Sequence, residues 1–193
     1  AVAPGLTASF LTREAGNKFD QFAFYPAENP THIIGCVEGG REEIAAGKYN
    51  PSVQSISLAD GSVQTILRGL TSCDPVRVTP WGTVLVGEER TDGLAYEILD
   101  PLNVTDITVT NRATGETDDP AHVVGRLALP TIGYEGVGIT AEGIVYAGDE
   151  LRPGSAEADV DGGAIFKFVP DHLATGGMIS SLDESPLASG SVY

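Results

Sequence analysis

The sequence predicts an all-β fold, and three observations support that prediction. Short runs rich in Val, Ile, Tyr and Phe recur along the 193 residues, and Gly, Pro, Asn or Asp bounds them. In SLADGSVQ (57–64) an Asp-Gly pair separates two such runs, which is a hairpin signal. The 24 glycines and 12 prolines are spread through the chain, as many tight turns require. Nothing divides the chain, so we interpret residues 1–193 as one domain.

The predicted strands follow one another at short spacing. In chain order they are QFAFYP, THIIGCV, SVQSISL, SVQTIL, GTVLVG, LAYEIL, DITVT, HVVGRLAL, GIVYAG and AIFKFV. Only REEIAAGKY (41–49) and DHLATGG (171–177) favour helical turns. We therefore expect little helix.

The charge of the chain excludes two classes of partner. The formal net charge is −16, from 11 Lys and Arg against 27 Asp and Glu. Nucleic acids and anionic lipids are both bound through cationic side chains, which are scarce here. No apolar run approaches the roughly 20 residues of a membrane-spanning helix. The excess carboxylate fits solvated surface charge or, in part, oxygen ligands for hard cations such as Ca²⁺.

An internal repeat underlies the acidic residues of the chain. TPWGTVLVGEE (79–89) aligns with TAEGIVYAGDE (140–150) at an offset of 61 residues. A glycine-led strand ending in proline follows each copy. THIIGCVEGG (31–40), with Glu38 at its acidic end, has the character of an earlier, degenerate copy.

Each clear copy ends on an acidic pair, Glu88–Glu89 in one and Asp149–Glu150 in the other. Equivalent strands place their ends at equivalent points, and in a β-propeller such strands surround a central channel. We therefore predict a propeller in which these carboxylates converge at one mouth of the channel. Convergent carboxylates repel one another, and a bound cation relieves that repulsion. For any single pair, a solvated strand end is the alternative.

These segments also resemble a known family. A cysteine before TPWGTVLVGEE, then YEGVGITAEGIVYAGDE, GGAIFKFVP and SPLASGSVY, is similar to the alkaline phosphatase PhoX family, in the same order from about residue 28 onward. The resemblance implies a six-bladed β-propeller that hydrolyses phosphate monoesters. It further implies calcium ions and an oxo-bridged iron pair in the channel, and export to the periplasm or beyond.

The resemblance also implies a set of metal ligands. Glu88 and Glu89 would face the channel, as would Glu135, which matches the family's aromatic-Glu-Gly motif. Asp149 and Glu150 join them through the internal repeat. The metals implied are Ca²⁺ and Fe³⁺.

The two cysteines, Cys36 and Cys73, admit more than one role. Cys73 stands where the family has its iron-binding cysteine, but SCDPVRVTPWG departs from the family's pattern and is one residue longer. A Cys36–Cys73 disulfide in an exported protein and a buried thiol are the alternatives. Without a thiolate ligand, a calcium-only site is expected.

Two weaker candidates remain. Arg77, four residues before Trp81, would contact a substrate phosphate or form a structural ion pair. In EADVDGG (157–163), three acidic residues alternate before a glycine, which fits a peripheral Ca²⁺ loop or an acidic turn. These residues are Glu157, Asp159 and Asp161.

The length of the chain suggests an incomplete ring. At roughly 40–45 residues per blade, the chain supplies about four blades of the six. An open part-propeller exposes a strand edge, so we expect a second polypeptide or a missing C-terminal part to complete it. The leading hypothesis is a PhoX-like phosphomonoesterase acting on small phosphorylated substrates. The alternatives are a non-catalytic calcium-binding propeller subunit and a propeller lactonase.

Overall fold

A computed structural model describes residues 2–150 and 163–193. Its regular structure is almost entirely β-strand, which confirms the all-β prediction. Within the described ranges, no helix is long and apolar enough to cross a membrane. The predicted acidic loop at Glu157, Asp159 and Asp161 lies outside the described residues.

The described part of the chain contains sixteen strands and two short 3-10 helices. The strands are β1 (Phe19–Tyr25), β2 (His32–Val37), β3 (Glu43–Ala45), β4 (Lys48–Tyr49), β5 (Pro51–Ser57), β6 (Val63–Arg68), β7 (Cys73–Val78), β8 (Val84–Glu88), β9 (Ala95–Ile98), β10 (Ile107–Asn111), β11 (Glu116–Thr117), β12 (Val123–Gly125), β13 (Tyr134–Ile139), β14 (Val145–Asp149), β15 (Ile165–Pro170) and β16 (Gly190–Val192). The 3-10 helices, Leu182–Glu184 and Pro186–Ala188, are capped by Ser181 and Ser185.

Most of these strands belong to three antiparallel meanders of four strands each. The first unit is β1-β2-β5-β6, the second is β7-β8-β9-β12 and the third is β13-β14-β15-β16. Three units in the described residues are one fewer than the sequence predicted. The difference arises because β10 pairs in parallel with β6 and, with β11, extends the first sheet instead of starting another.

The units are stacked through their first strands. β7 packs against β1 and β2 on one side and against β13 on the other. One apolar core lies between the first two units and a second between the last two. Alternate residues of β8 enter different cores: Val84 and Val86 the first, Leu85 the second. Burial on both faces explains why β8 reads as an uninterrupted apolar run.

The predicted repeat is confirmed in three dimensions. β7 and β8 recur as β13 and β14 at the same offset of 61 residues. The strand register recurs as well, since Cys73 pairs with Glu88 as Tyr134 pairs with Asp149.

The turn inside each copy is also the same. Gly82 donates its N–H to Thr79 O at 3.1 Å, and Gly143 donates to Thr140 O at 3.0 Å. Both glycines have a positive φ, 86° and 89°, which a side chain would disfavour. The shared turn therefore fixes where each second strand begins, and hence where its acidic end lies.

Three local predictions had different outcomes. The Asp-Gly hairpin is confirmed, because β5 and β6 are antiparallel with Gly61 at a φ of 73° between them. The helical turn predicted for 41–49 is wrong: β3 and β4 form a hairpin there, closed by Gly47 at a φ of 71°. Residues 171–177 are likewise irregular rather than helical.

Candidate metal site

Three glutamates from two units come together at one edge of the molecule. Glu89 directly follows β8, Glu150 directly follows β14, and Glu135 is the second residue of β13. Ligand oxygens of the three carboxylates all lie within 4.8 Å of one another. Glu135 is exposed, whereas Glu89 and Glu150 are half-buried. The structure thus gathers three of the five acidic residues predicted as ligands.

The backbone explains why these glutamates meet. Glu89 donates its N–H to Ser72 O at 2.7 Å, and Glu150 donates to Gly133 O at 2.9 Å. Ser72 and Gly133 each precede the first strand of their unit at the repeat offset. Glu89 also forms an isolated β-bridge with Gly133, which brings the ends of the second and third units together.

Glu88, also predicted as a ligand, lies outside this group and has a different role. Its carboxylate is fully buried and binds the guanidinium of Arg112 through two contacts, Nε at 2.6 Å and Nη2 at 3.0 Å. It also accepts the N–H of Thr71 at 2.8 Å. Charge-assisted, bidentate bonds of this kind satisfy a buried carboxylate. Glu88 therefore holds the loop before β7 in place.

Asp149, the repeat equivalent of Glu88, also lies outside the group of three. Its Oδ1 accepts the N–H of Gly133 at 3.1 Å. Gly133 occupies the loop before β13, as Thr71 occupies the loop before β7. In each acidic pair, then, the first residue binds the loop and the second joins the carboxylate group.

A further carboxylate, Asp74, was not predicted. Asp20, Asp74 and Glu135 are the second residues of β1, β7 and β13. Asp74 is buried, and its Oδ2 accepts a hydrogen bond from Gln21 Nε2 at 2.9 Å. The repeat contained the signal that would have found it, since Asp74 stands 61 residues before Glu135.

The surroundings of Asp74 are strongly negative. Burial, together with the nearby charges of Asp20, Glu135 and Glu38, raises the pKa of Asp74 to about 7. Glu38 directly follows β2, as Glu89 follows β8. All three units therefore contribute carboxylates to this edge, which we call the acidic edge: Asp20, Glu38, Asp74, Glu89, Glu135 and Glu150.

Cys36 and Cys73 form a disulfide, with their Cα atoms 5.2 Å apart. Both residues are buried, and the bond links β2 of the first unit to β7 of the second. The sequence left three roles open for Cys73, namely an iron ligand, a disulfide and a buried thiol, and the structure has the disulfide. Iron binds cysteine as the thiolate, and the sulfur of Cys73 is not a thiolate while it is part of the disulfide.

Arg77 lies next to the acidic edge. Its Nη1 donates to Val76 O at 2.7 Å and to Gln21 Oε1 at 3.4 Å. Gln21 in turn donates to Asp74 and to the backbone oxygen of Glu135. The arginine is thus connected, through Gln21, to the carboxylate of Asp74 and to the backbone of Glu135.

Comparison with known proteins gives no assignment. No protein-family model matches the sequence, and no curated protein matches it. The chemistry of the acidic edge is therefore the basis for a function.

Proposed function

We propose that Glu89, Glu135 and Glu150 bind a divalent hard cation, Ca²⁺. The observation that carries this proposal is the convergence of their ligand oxygens within 4.8 Å. Calcium binds oxygen ligands at about 2.3–2.6 Å, so two ligands of one ion lie up to about 5 Å apart. The group therefore fits one calcium ion in size and in donor type.

We further propose that the stacked units are an arc of a β-propeller. Two observations support this: each unit is a four-stranded meander, and the first strands of successive units lie side by side. A second polypeptide, or a further part of the same one, completes the ring. The Cys36–Cys73 disulfide supports an exported protein, because disulfides persist in oxidising compartments.

The activity we propose is hydrolysis of phosphate monoesters, as in PhoX-like alkaline phosphatases. Calcium, when bound, neutralises the charge of a phosphate and polarises its oxygens. The carboxylates hold the cation, and Arg77 provides a positive group that is linked to the backbone of Glu135 through Gln21. Because the chain carries a net charge of −16, an anionic substrate depends on such local positive charge to approach.

A second candidate function is a non-catalytic, calcium-stabilised subunit. The observation that favours it is the disulfide, which occupies the cysteine that the PhoX resemblance would give to iron. An activity assay separates the two, because a calcium-only site without a thiolate ligand is compatible with both.

Calcium binding is tested by titration calorimetry on the native chain and on Glu89→Gln. We expect the substitution to weaken calcium affinity at least about tenfold, because a neutral amide replaces one charged ligand. Glu116→Gln is the matched control, since Glu116 is exposed on β11. Equal affinity in all three proteins would refute the site.

The activity is tested separately, by release of a chromogenic alcohol from a phosphate monoester. The assay is run with calcium and with chelator, on the complete assembly. Turnover that disappears with chelator and with Glu89→Gln supports the phosphatase. Calcium binding without turnover supports the structural subunit.

A further inference from the structure

One face of the third unit is exposed, although the equivalent face of the second unit is buried. The second unit meets the third through Leu85 and Ala95, both buried. Tyr146 stands 61 residues after Leu85, and Ile165 pairs with β14 at the point where Ala95 pairs with β8. Tyr146 is 43% exposed and Ile165 is 78% exposed. The third unit therefore exposes the surface by which a unit packs against the next unit along the chain.

The first unit exposes the opposite surface, by which a unit packs against the preceding unit along the chain. β1 directs Ala23 and Tyr25 into the core with the second unit, so Phe22 and Phe24 point the other way. These two rings are 50% and 52% exposed and contact each other edge to face, with centroids 6.0 Å apart.

The later units bury the corresponding face. The first strand of the second unit packs Val76 against the first unit, and that of the third packs Val137 against the second. Only in the first unit does this apolar surface lie exposed, within the described residues. The chain thus carries both halves of an interface that it uses twice internally.

We propose that two copies of this chain associate through these opposite faces. The Phe22/Phe24 face of one copy packs against the Tyr146/Ile165 face of its partner, continuing the stacking seen inside each chain. A second copy is the occupant because it brings both complementary surfaces. In a two-fold symmetric pair both of these faces are covered in each copy. This inference does not depend on the proposed metal chemistry.

The test is the mass in solution, by light scattering and sedimentation. A monomer is 20.1 kDa, and we expect twice that mass at micromolar concentration. The measurement is made at physiological salt, which screens repulsion between the acidic chains. It is made with calcium and with chelator, so that a dimer in either condition supports the proposal. A monomer in both conditions would overturn it.

Three substitutions locate the interface. Phe24→Lys and Ile165→Lys are each expected to abolish the dimer, because every interface uses one face of each kind. Both residues are half-exposed or more, so the folded monomer tolerates the change, and circular dichroism checks this. Ile44→Lys is the matched control, since Ile44 is 55% exposed on β3. A dimer that survives Phe24→Lys or Ile165→Lys would overturn the proposal.

Mixing the two interface variants gives the sharpest outcome. For this mixture Ile165→Glu takes the place of Ile165→Lys. One interface of the mixed pair then joins the intact Tyr146/Ile165 face of the Phe24→Lys chain to the intact Phe22/Phe24 face of the Ile165→Glu chain. The other interface joins the two substituted faces, whose opposite charges attract. We expect the mixture to form a dimer that neither variant forms alone. A mixture that stays monomeric contradicts pairing between opposite faces.

Discussion

Two buried carboxylates of the second unit differ in what surrounds them. Glu97, on β9, receives Arg126 Nε at 2.5 Å, Trp81 Nε1 at 2.7 Å and Ser185 Oγ at 2.7 Å. Asp74, on β7, receives one amide donor and otherwise faces other carboxylates.

The comparison separates a structural charge from a functional one. Glu97 is compensated by a cation and by donors that reach it from three parts of the chain, so it joins those parts. Burial, followed by the charges of the neighbouring carboxylates, raises the pKa of Asp74 instead, which marks a place where positive charge from outside is favourable. Burial alone therefore does not distinguish the two roles, whereas the neighbours do.

The largest effect is expected at Glu97. Arg126→Met leaves this buried carboxylate without its cation, which costs about 3–5 kcal/mol of the free energy of unfolding. Urea unfolding measures the loss. The double variant Arg126→Met/Glu97→Met is expected to recover part of it, because no unpaired charge then remains. A loss below about 1 kcal/mol in the single variant would mean that Glu97 is not held as described.

A smaller effect distinguishes the two kinds of acidic residue at the strand ends. Glu88→Gln weakens the buried contacts with Arg112 and is expected to cost about 1–3 kcal/mol, with little change in calcium affinity. Glu135→Gln changes an exposed side chain. We expect it to weaken calcium affinity and to change the free energy of unfolding little. Unfolding in chelator and calorimetry in calcium are compared for both. Equal effects on both measurements would remove the distinction.

Asp74 predicts a pH dependence. Its pKa in the folded chain, about 7, is above the ordinary 3.8, so the folded chain binds this proton more tightly than the unfolded chain does. Without metal, the free energy of unfolding therefore falls as pH rises from about 4 to about 7, and then levels. Asp74→Asn is expected to flatten this fall by a few kcal/mol at most. An unchanged pH profile in the variant contradicts the assignment.

The smallest effect is expected at a compensated carboxylate on the surface. Lys48 Nζ lies 3.9 Å from Asp106 Oδ2, and both side chains are about half exposed. Solvent screens such a pair, so Lys48→Ala is expected to change the free energy of unfolding by less than about 0.5 kcal/mol. A larger change in urea unfolding would show that pairing at the surface matters as much as pairing in the core.

The sequence predicted the fold class and the repeat because both are local patterns. It missed β7 and β13, although both begin at the acidic edge. Pro75 interrupts the first, and Gly136 and Gly138 weaken the second, so neither reads as a strand. Asp74 was missed with its strand.

The roles within each acidic pair were also beyond local pattern. Glu88 and Glu89 are adjacent and chemically alike, and only their contacts differ. The contact that decides is Arg112, which reaches Glu88 from the turn between β10 and β11, 24 residues further along the chain. No spacing rule connects such partners, so their pairing required the folded chain.

The repeated geometry has a consequence for how such a protein lengthens. Each unit brings one carboxylate near the start of its first strand and one behind its second strand. Duplicating a unit therefore adds two negative charges to the same edge along with its apolar faces. The number of units and the number of positive charges needed to neutralise the acidic edge therefore increase together.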